Sequence, residues 1–232
     1  NISRGGLVKL PDNINFEQAA LIEPIACCIR SLNKLNIVKG DKVAILGAGP
    51  TGLMHMILST HFGISQVILA DVNKFRLDFA KKIKPNATTI NLDTIDKKDF
   101  YNTILLQTDM MGVDISIICT SNLNAFSDAL KITRKGGTIS LFGVPSKGSD
   151  LKIDLNLVYS KEIKIIPSYA TSEKEINQTI NLLTDKVIEV ENIITHKFSL
   201  SESFNALEYA HQGKDSMKII IKSGEGQEKK LE

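Results

Sequence analysis

The sequence predicts an α/β fold, a doubly wound parallel sheet of six strands with helices between them. Short β-rich apolar runs alternate with stretches of helical spacing, and a glycine-rich turn joins the first such run to the helix after it. The chain has 232 residues, 43% of them hydrophobic, enough to bury one full core and leave material for part of a second domain.

Asn15 followed three residues later by Gln18 signals a helix start, and apolar residues at Ala19, Ile22, Ala26 and Ile29 carry the spacing to about Leu35. Pro24 is expected to kink this helix or to begin a fresh first turn. After Lys39-Gly40-Asp41, residues 43–46 form an apolar strand of the kind that is buried on both faces. A helix over 50–61, a strand over 67–70, a helix over 74–83, a strand over 88–91 and a weaker helical stretch over 94–107 follow. The alternation continues with a strand over 113–119, a helix over 123–133, a strand over 138–142 after Gly136-Gly137, and a strand over 163–166.

From Ser172 the character changes. Ser172 with Glu175 forms a capping box for a helix to about Thr184, Ser199 with Glu202 forms a second box for a helix through His211, and residues 217–221 make a last strand. No partner sheet for this segment is visible, so it is expected to return to a domain that begins upstream. The chain opens without a methionine and runs at once into Leu10-Pro11-Asp12, as a strand leaving an earlier domain does. The polar stretch 224–232 reads as a frayed tail.

Lys and Arg number 28 against 26 Asp and Glu, a net charge of +2, and the basic residues are scattered. Neither nucleic acid nor an anionic membrane is favoured as a partner. No apolar run approaches the roughly 20 residues that span a bilayer, and residues 1–6 do not resemble a secretory signal, so a cytoplasmic location is expected. Cys27, Cys28 and Cys119 are too few for a disulfide framework and contain no CxxC pair, so this chain by itself cannot assemble a structural zinc site.

The strongest chemical signal is Gly47-Ala48-Gly49-Pro50-Thr51-Gly52, a GxGxxG between a strand and a helix. Gly47 permits the tight turn, Gly49 lets the backbone approach a pyrophosphate, and Gly52 lets the helix pack on the strand. Free N–H groups at the helix start receive the phosphate charge. Nineteen residues after Gly52, Asp71 closes the second strand, where a carboxylate accepts hydrogen bonds from the adenosine ribose and repels a 2′-phosphate. That favours NAD over NADP, a preference that Lys74 and Arg76 temper. This is the nucleotide-binding pattern of a Rossmann sheet. A methyltransferase that uses S-adenosylmethionine also has a glycine-rich first loop and an acidic residue after the second strand, but its loop reads GxGxG and does not need Gly52. A non-catalytic NAD-binding module is a third reading.

The run Ala19-Ala20-Leu21-Ile22-Glu23-Pro24-Ile25-Ala26, then Gly40-Asp41-Lys42-Val43 and the glycine turn, resembles the entry to the nucleotide-binding domain of zinc-dependent medium-chain dehydrogenases, sorbitol and threonine dehydrogenases above all. The resemblance extends through Asp71, Arg76, Cys119-Thr120-Ser121, Gly136-Gly137-Thr138, Phe142-Gly143-Val144, Ser168-Tyr169 and Ile194 to Phe198. It implies that Gly47, Gly49, Pro50, Thr51, Gly52, Asp71, Arg76 and Thr120 contact NAD, and that Phe142, Gly143, Val144, Ser168 and Tyr169 approach its nicotinamide half. It also implies that Glu23, in an EP motif, stands beside a catalytic zinc as a ligand or through water, a catalytic role. From spacing alone, a Glu inside an apolar helix run faces a cleft or pairs with Arg30.

The same resemblance implies this division of the chain: 1–22 as the end of a GroES-like catalytic domain and connecting helix, 23–170 as the nucleotide-binding domain, 171–224 returning to the catalytic domain, and 225–232 as tail. A preceding domain of roughly 100 residues or more is expected to supply the remaining zinc ligands. The implied reaction is oxidation of a secondary alcohol or polyol, in a homo-oligomer of two or four copies. Sugar alcohol, inositol-like polyol, threonine and simple diol all fit the sequence. His55 and His61 read as packing or surface residues, Cys27 and Cys28 as small core residues, and His211 suits the dipole of a helix C-terminus.

Overall fold

The computed structural model describes residues 7–223; the expectations for residues 1–6 and for the 224–232 tail lie outside the described residues. In chain order the elements are α1 (Phe16–Asn33), β1 (Lys42–Leu46), α2 (Pro50–Leu58), β2 (Gln66–Asp71), α3 (Lys74–Ile83), β3 (Thr88–Asn91), α4 (Lys97–Gln107), β4 (Val113–Ile118) and α5 (Asn124–Ile132). They continue with β5 (Thr133–Leu141), α6 (Leu155–Ser160), β6 (Lys164–Pro167), α7 (Glu173–Thr184), β7 (Ile194–Ser199), α8 (Ser203–Gln212) and β8 (Lys218–Lys222).

The first six strands form one parallel sheet in the order β3-β2-β1-β4-β5-β6. The chain winds outward from β1 in one direction to β3, then crosses back to β4 and winds the other way. Parallel strands with helices on both faces must be apolar on both sides, and Val43, Ala44, Ile45 and Leu46 of β1 are all buried. Alternate residues serve separate cores. Val43 and Ile45 join α1, α2 and α7 on one face, while Ala44 and Leu46 join Phe100 and Ile104 of α4 and Phe126, Ala129 and Leu130 of α5 on the other.

Several details differ from the sequence expectation, each for a local reason. α1 runs through Pro24 without interruption. Proline removes one helical donor, but Leu21, Ile22, Ile25, Ala26, Cys28 and Ile29 are buried on both sides of it, and that packing carries the helix across. α4 starts at Lys97 because Asp96 accepts the Asp99 N–H at 2.8 Å and caps it there. α2 stops at Leu58, where Ser59 turns the chain toward Gly63 at φ +76°. β5 begins at Thr133, earlier than expected, with a register shift against β4. The short α6, absent from the sequence expectation, is capped by Asp154, whose carboxylate accepts from Asn156 and Leu157.

The largest correction concerns the C-terminal segment, which does have a partner sheet. β7 and β8 pair in parallel as a two-stranded sheet with α8 as the crossover. The Ser199–Glu202 box opens a 3-10 turn, and α8 follows it. Glu17 in the first turn of α1 ties both strands, to Lys197 at 2.7 Å and to Lys222 at 2.5 Å. These two lysine partners hold the Glu17 carboxyl below its usual range. α7 packs along α1, where Arg30 meets Glu175 at 3.4 Å and Asn33 donates to Gln178 at 3.2 Å. Arg30 therefore serves Glu175 and not Glu23. Burial pushes the Glu175 carboxyl up, but bonds from Ser172 and the Arg30 charge outweigh it and leave it lowered.

His55 of α2 is 1% exposed. Its ring meets Phe142 edge-on at 4.7 Å, and its Nδ1 lies 2.8 Å from the Thr51 carbonyl. Burial pushes this imidazole down to about 4. Two outcomes follow. Because the unfolded chain takes up the His55 proton near its ordinary value of about 6.5, stability should fall as pH drops from about 6.5 to about 4. A His55→Leu variant should lose that part of the slope in thermal unfolding followed by circular dichroism. Arg30→Met strands the Glu175 carboxylate against α1 and should lower stability by about 1–3 kcal/mol in urea titrations, the half-exposed Arg30 holding the loss below that of a fully buried pair.

Candidate cofactor-binding site

The sheet gathers its chemistry at the C-terminal ends of the strands, where the winding reverses between β1 and β4. Gly47 leaves β1 at φ +108°, and its N–H donates to the Ala70 carbonyl at 2.8 Å. A Cβ at Gly47 would stand 2.8 Å from the Cys119 carbonyl oxygen, and one at Gly52 only 2.0 Å from the Gly47 oxygen. Gly49 is different. A Cβ there would meet nothing closer than the Arg76 guanidinium at 3.7 Å, so its face of the turn opens outward. Pro50 takes the first helical position, Gly49 caps the helix, and no side chain bonds to this cap. The first-turn N–H groups of α2, including that of Thr51, are therefore left for an anion.

Asp71, the last residue of β2, is 7% exposed. Its Oδ2 accepts the Ala48 N–H at 2.6 Å and its Oδ1 the Asn73 N–H at 2.8 Å. An ionised carboxylate has about four lone-pair positions, so each oxygen keeps capacity for a ligand hydroxyl. Arg76 lies beside it, Nη1 at 4.0 Å, while Nη2 donates to the Gly213 carbonyl at 3.4 Å. Lys74 is drawn away to Asp78 at 2.5 Å.

On the far side of the switch point, Thr120 and Gly143 press together, a Cβ at Gly143 falling 2.3 Å from the Thr120 oxygen. The Gly143 N–H donates to Ile118 at 2.6 Å and the Ser168 N–H to Leu141 at 3.0 Å, which sets these residues at the ends of β4, β5 and β6. Among the described residues the buried Ser168 hydroxyl has no partner. Val144 and Tyr169 are 73% and 84% exposed, while Phe142 packs inward on His55. Burial pushes the Cys119 thiol up to about 12, so it is no thiolate near neutral pH.

Glu23 is exposed on α1, one turn before Cys27, whose thiol donates to it at 3.2 Å. Desolvation, then the Glu23 carboxylate, pushes the Cys27 thiol up to about 12. The next residue, Cys28, lies 3.8 Å from the Thr51 carbonyl, so this stretch of α1 borders the first turn of α2. Among the described residues no group of three or more His, Cys, Asp or Glu could hold a metal ion. The donor set around Glu23 does not make a zinc centre by itself. Among the described residues, too, no helix is long and apolar enough to cross a membrane. A cavity of about 160 Å³ lined by Asp41, Asp114, Arg134 and Lys164 lies at the opposite ends of the strands, away from the glycine turn.

The glycine turn, Asp71 and Arg76 thus converge as the sequence suggests. Asn73 is a participant with no local signal in the sequence, because its partners at 213 and 214 are remote. His55 packs against Phe142, as its place on the helix suggests.

The family model for zinc-binding dehydrogenases matches residues 50–185. Sorbitol dehydrogenase from Bacillus subtilis is 30% identical over 91% of this chain and 59% of its own length. L-threonine 3-dehydrogenase from Yersinia enterocolitica is 31% identical over 92% and 60%. In fold, 2R,3R-butanediol dehydrogenase from Bacillus subtilis superposes with a TM-score of 0.84 at 22% identity, covering 94% of this chain and 60% of that one. The chain thus spans about 60% of the length of the curated relatives it matches. With a parallel six-stranded sheet, a glycine turn at its switch point and a family match over more than half its length, this chain belongs to the zinc-binding dehydrogenase family.

Proposed function

We propose that this chain is the NAD-binding part of a dehydrogenase that oxidises the CH–OH group of a secondary alcohol or polyol. The observation that carries the reading is the outward-open turn at Gly49 beside the nearly buried Asp71 carboxylate. The N–H groups of Thr51 and its neighbours receive the pyrophosphate, Asp71 accepts from the adenosine ribose hydroxyls, and Arg76 flanks the adenosine. Thr120, Phe142, Gly143, Val144, Ser168 and Tyr169 border the nicotinamide half. NAD supplies the hydride acceptor of the reaction. The chain's own residues would orient it, and Phe142, packed edge-on against the buried His55, would give that part of the site a fixed apolar wall.

Glu23 is the one residue here assigned to the zinc side, as a ligand or through water, and the other ligands belong outside the described residues. On this reading residues 1–22 are the end of the catalytic domain and the connecting helix, 23–170 the nucleotide-binding domain, 171–224 the segment returning to the catalytic domain, and 225–232 a tail. The three free cysteines suit a reducing, cytoplasmic setting, and a homo-oligomer of two or four copies is proposed from the family likeness alone. Membership of a dehydrogenase family weighs against a methyltransferase and against a non-catalytic module.

Calorimetry with NAD, NADP and S-adenosylmethionine tests the reading, and binding of the last alone refutes it. Asp71→Ala should weaken NAD about tenfold and narrow its advantage over NADP, while lowering the melting temperature, because two N–H groups lose their acceptor. Gly49→Val should abolish NAD binding with little change in melting temperature, since the new side chain fills only the open turn. Retained NAD affinity in Gly49→Val would move the pyrophosphate elsewhere.

A further inference from the structure

Asn73 is joined to three parts of the molecule at once. Its N–H donates to Asp71 Oδ1 at 2.8 Å, and its Oδ1 accepts the Arg76 N–H at 3.3 Å to cap α3. Its Nδ2 donates to the carbonyls of Gly213 and Lys214, both at 3.1 Å. Arg76 reaches the same Gly213 oxygen. Gly213 is the left-handed end of α8 at φ +58°, and a Cβ there would stand 3.0 Å from Arg76 Nη2. Glycine at 213 thus allows the guanidinium to come close. Among the described residues the buried Arg76 Nε has no partner, and the Gly213 carbonyl and the Asp71 carboxylate aim this side chain.

We propose that Asn73 is a positioning residue for the adenosine end of the site, holding Asp71 and Arg76 in place by anchoring them to the backbone turn at Gly213 and Lys214. The β7-α8-β8 unit thereby becomes part of the cofactor site without touching the nicotinamide half. This rests on the NAD reading above. Because coupling between sites is reciprocal, bound NAD must also steady the unit that anchors Asn73.

Asn73→Ser tests it in the full chain. Serine keeps an N-cap acceptor and leaves the charge unchanged, but is too short to reach both carbonyls. NAD should bind about tenfold more weakly, the worth of one net hydrogen bond. NADP should lose less, because the freed Arg76 guanidinium can meet a 2′-phosphate, so the NAD to NADP preference narrows. Glu17→Gln, which cuts the Lys197 and Lys222 ties at the other end of the small sheet, should leave that preference unchanged. In the unaltered chain, NAD should slow amide exchange over 203–222, and in Asn73→Ser it should not. Unchanged NAD affinity and preference in Asn73→Ser would overturn the proposal. So would an equal loss in both variants at constant preference, since that reports a loosened sheet only. Failure of the unaltered chain to bind NAD would instead strike the cofactor reading itself.

Discussion

Backbone touches backbone where β1 turns into α2, and the rest of the site depends on that contact. With a Cβ at Gly52 only 2.0 Å from the Gly47 oxygen, any side chain there would lift the helix off the strand. Seated as it is, α2 directs its uncapped first turn at the ends of β1 and β4. β1 is central in the sheet, with β2 in register on one side and β4 on the other. Fixing the end of β1 therefore fixes the distance to Asp71 on one flank and to Thr120 on the other. The binding surface inherits its geometry from the sheet and not from flexible loops.

Around this centre the terminal segments act as braces. α1 joins the sheet through its apolar face, offers Arg30 to α7, and holds the β7–β8 sheet through Glu17. The β7-α8-β8 unit is thus held by charge on its strands and, at the end of α8, by the Asn73 amide and the Arg76 guanidinium. A two-stranded sheet has little core of its own, and these ties supply what its burial does not.

The inner strands of the six-stranded sheet are legible because strands buried on both faces must be written as apolar runs, as Val43 to Leu46 are; the edge strands β3 and β6 follow from the alternation with helices. β7 is not legible, since Ile194-Thr195-His196-Lys197-Phe198 is half-buried and mixed, and its pairing with β8 spans a helix. The continuity of α1 through Pro24 was misjudged because packing on both sides overrode a local preference. Within the site, Gly47, Gly49, Gly52 and Asp71 announced themselves by spacing, which is a local property. The role of Asn73 depends on carbonyls about 140 residues away, and that of Glu23 rests on the likeness to the family, because the described residues around it form no metal cluster.

The Asp71 carboxylate carries two duties that natural variation cannot separate in one step. In the proposed function it accepts from the ribose, and in the structure it fastens the glycine turn through Ala48 and the start of α3 through Asn73. A lineage drifting toward a phosphorylated nucleotide must first find another acceptor for those two amides, or pass through an intermediate with a loosened turn. Under the proposed function, cofactor preference is protected by epistasis: the residue proposed to select the ligand is also a fastening of the scaffold around it.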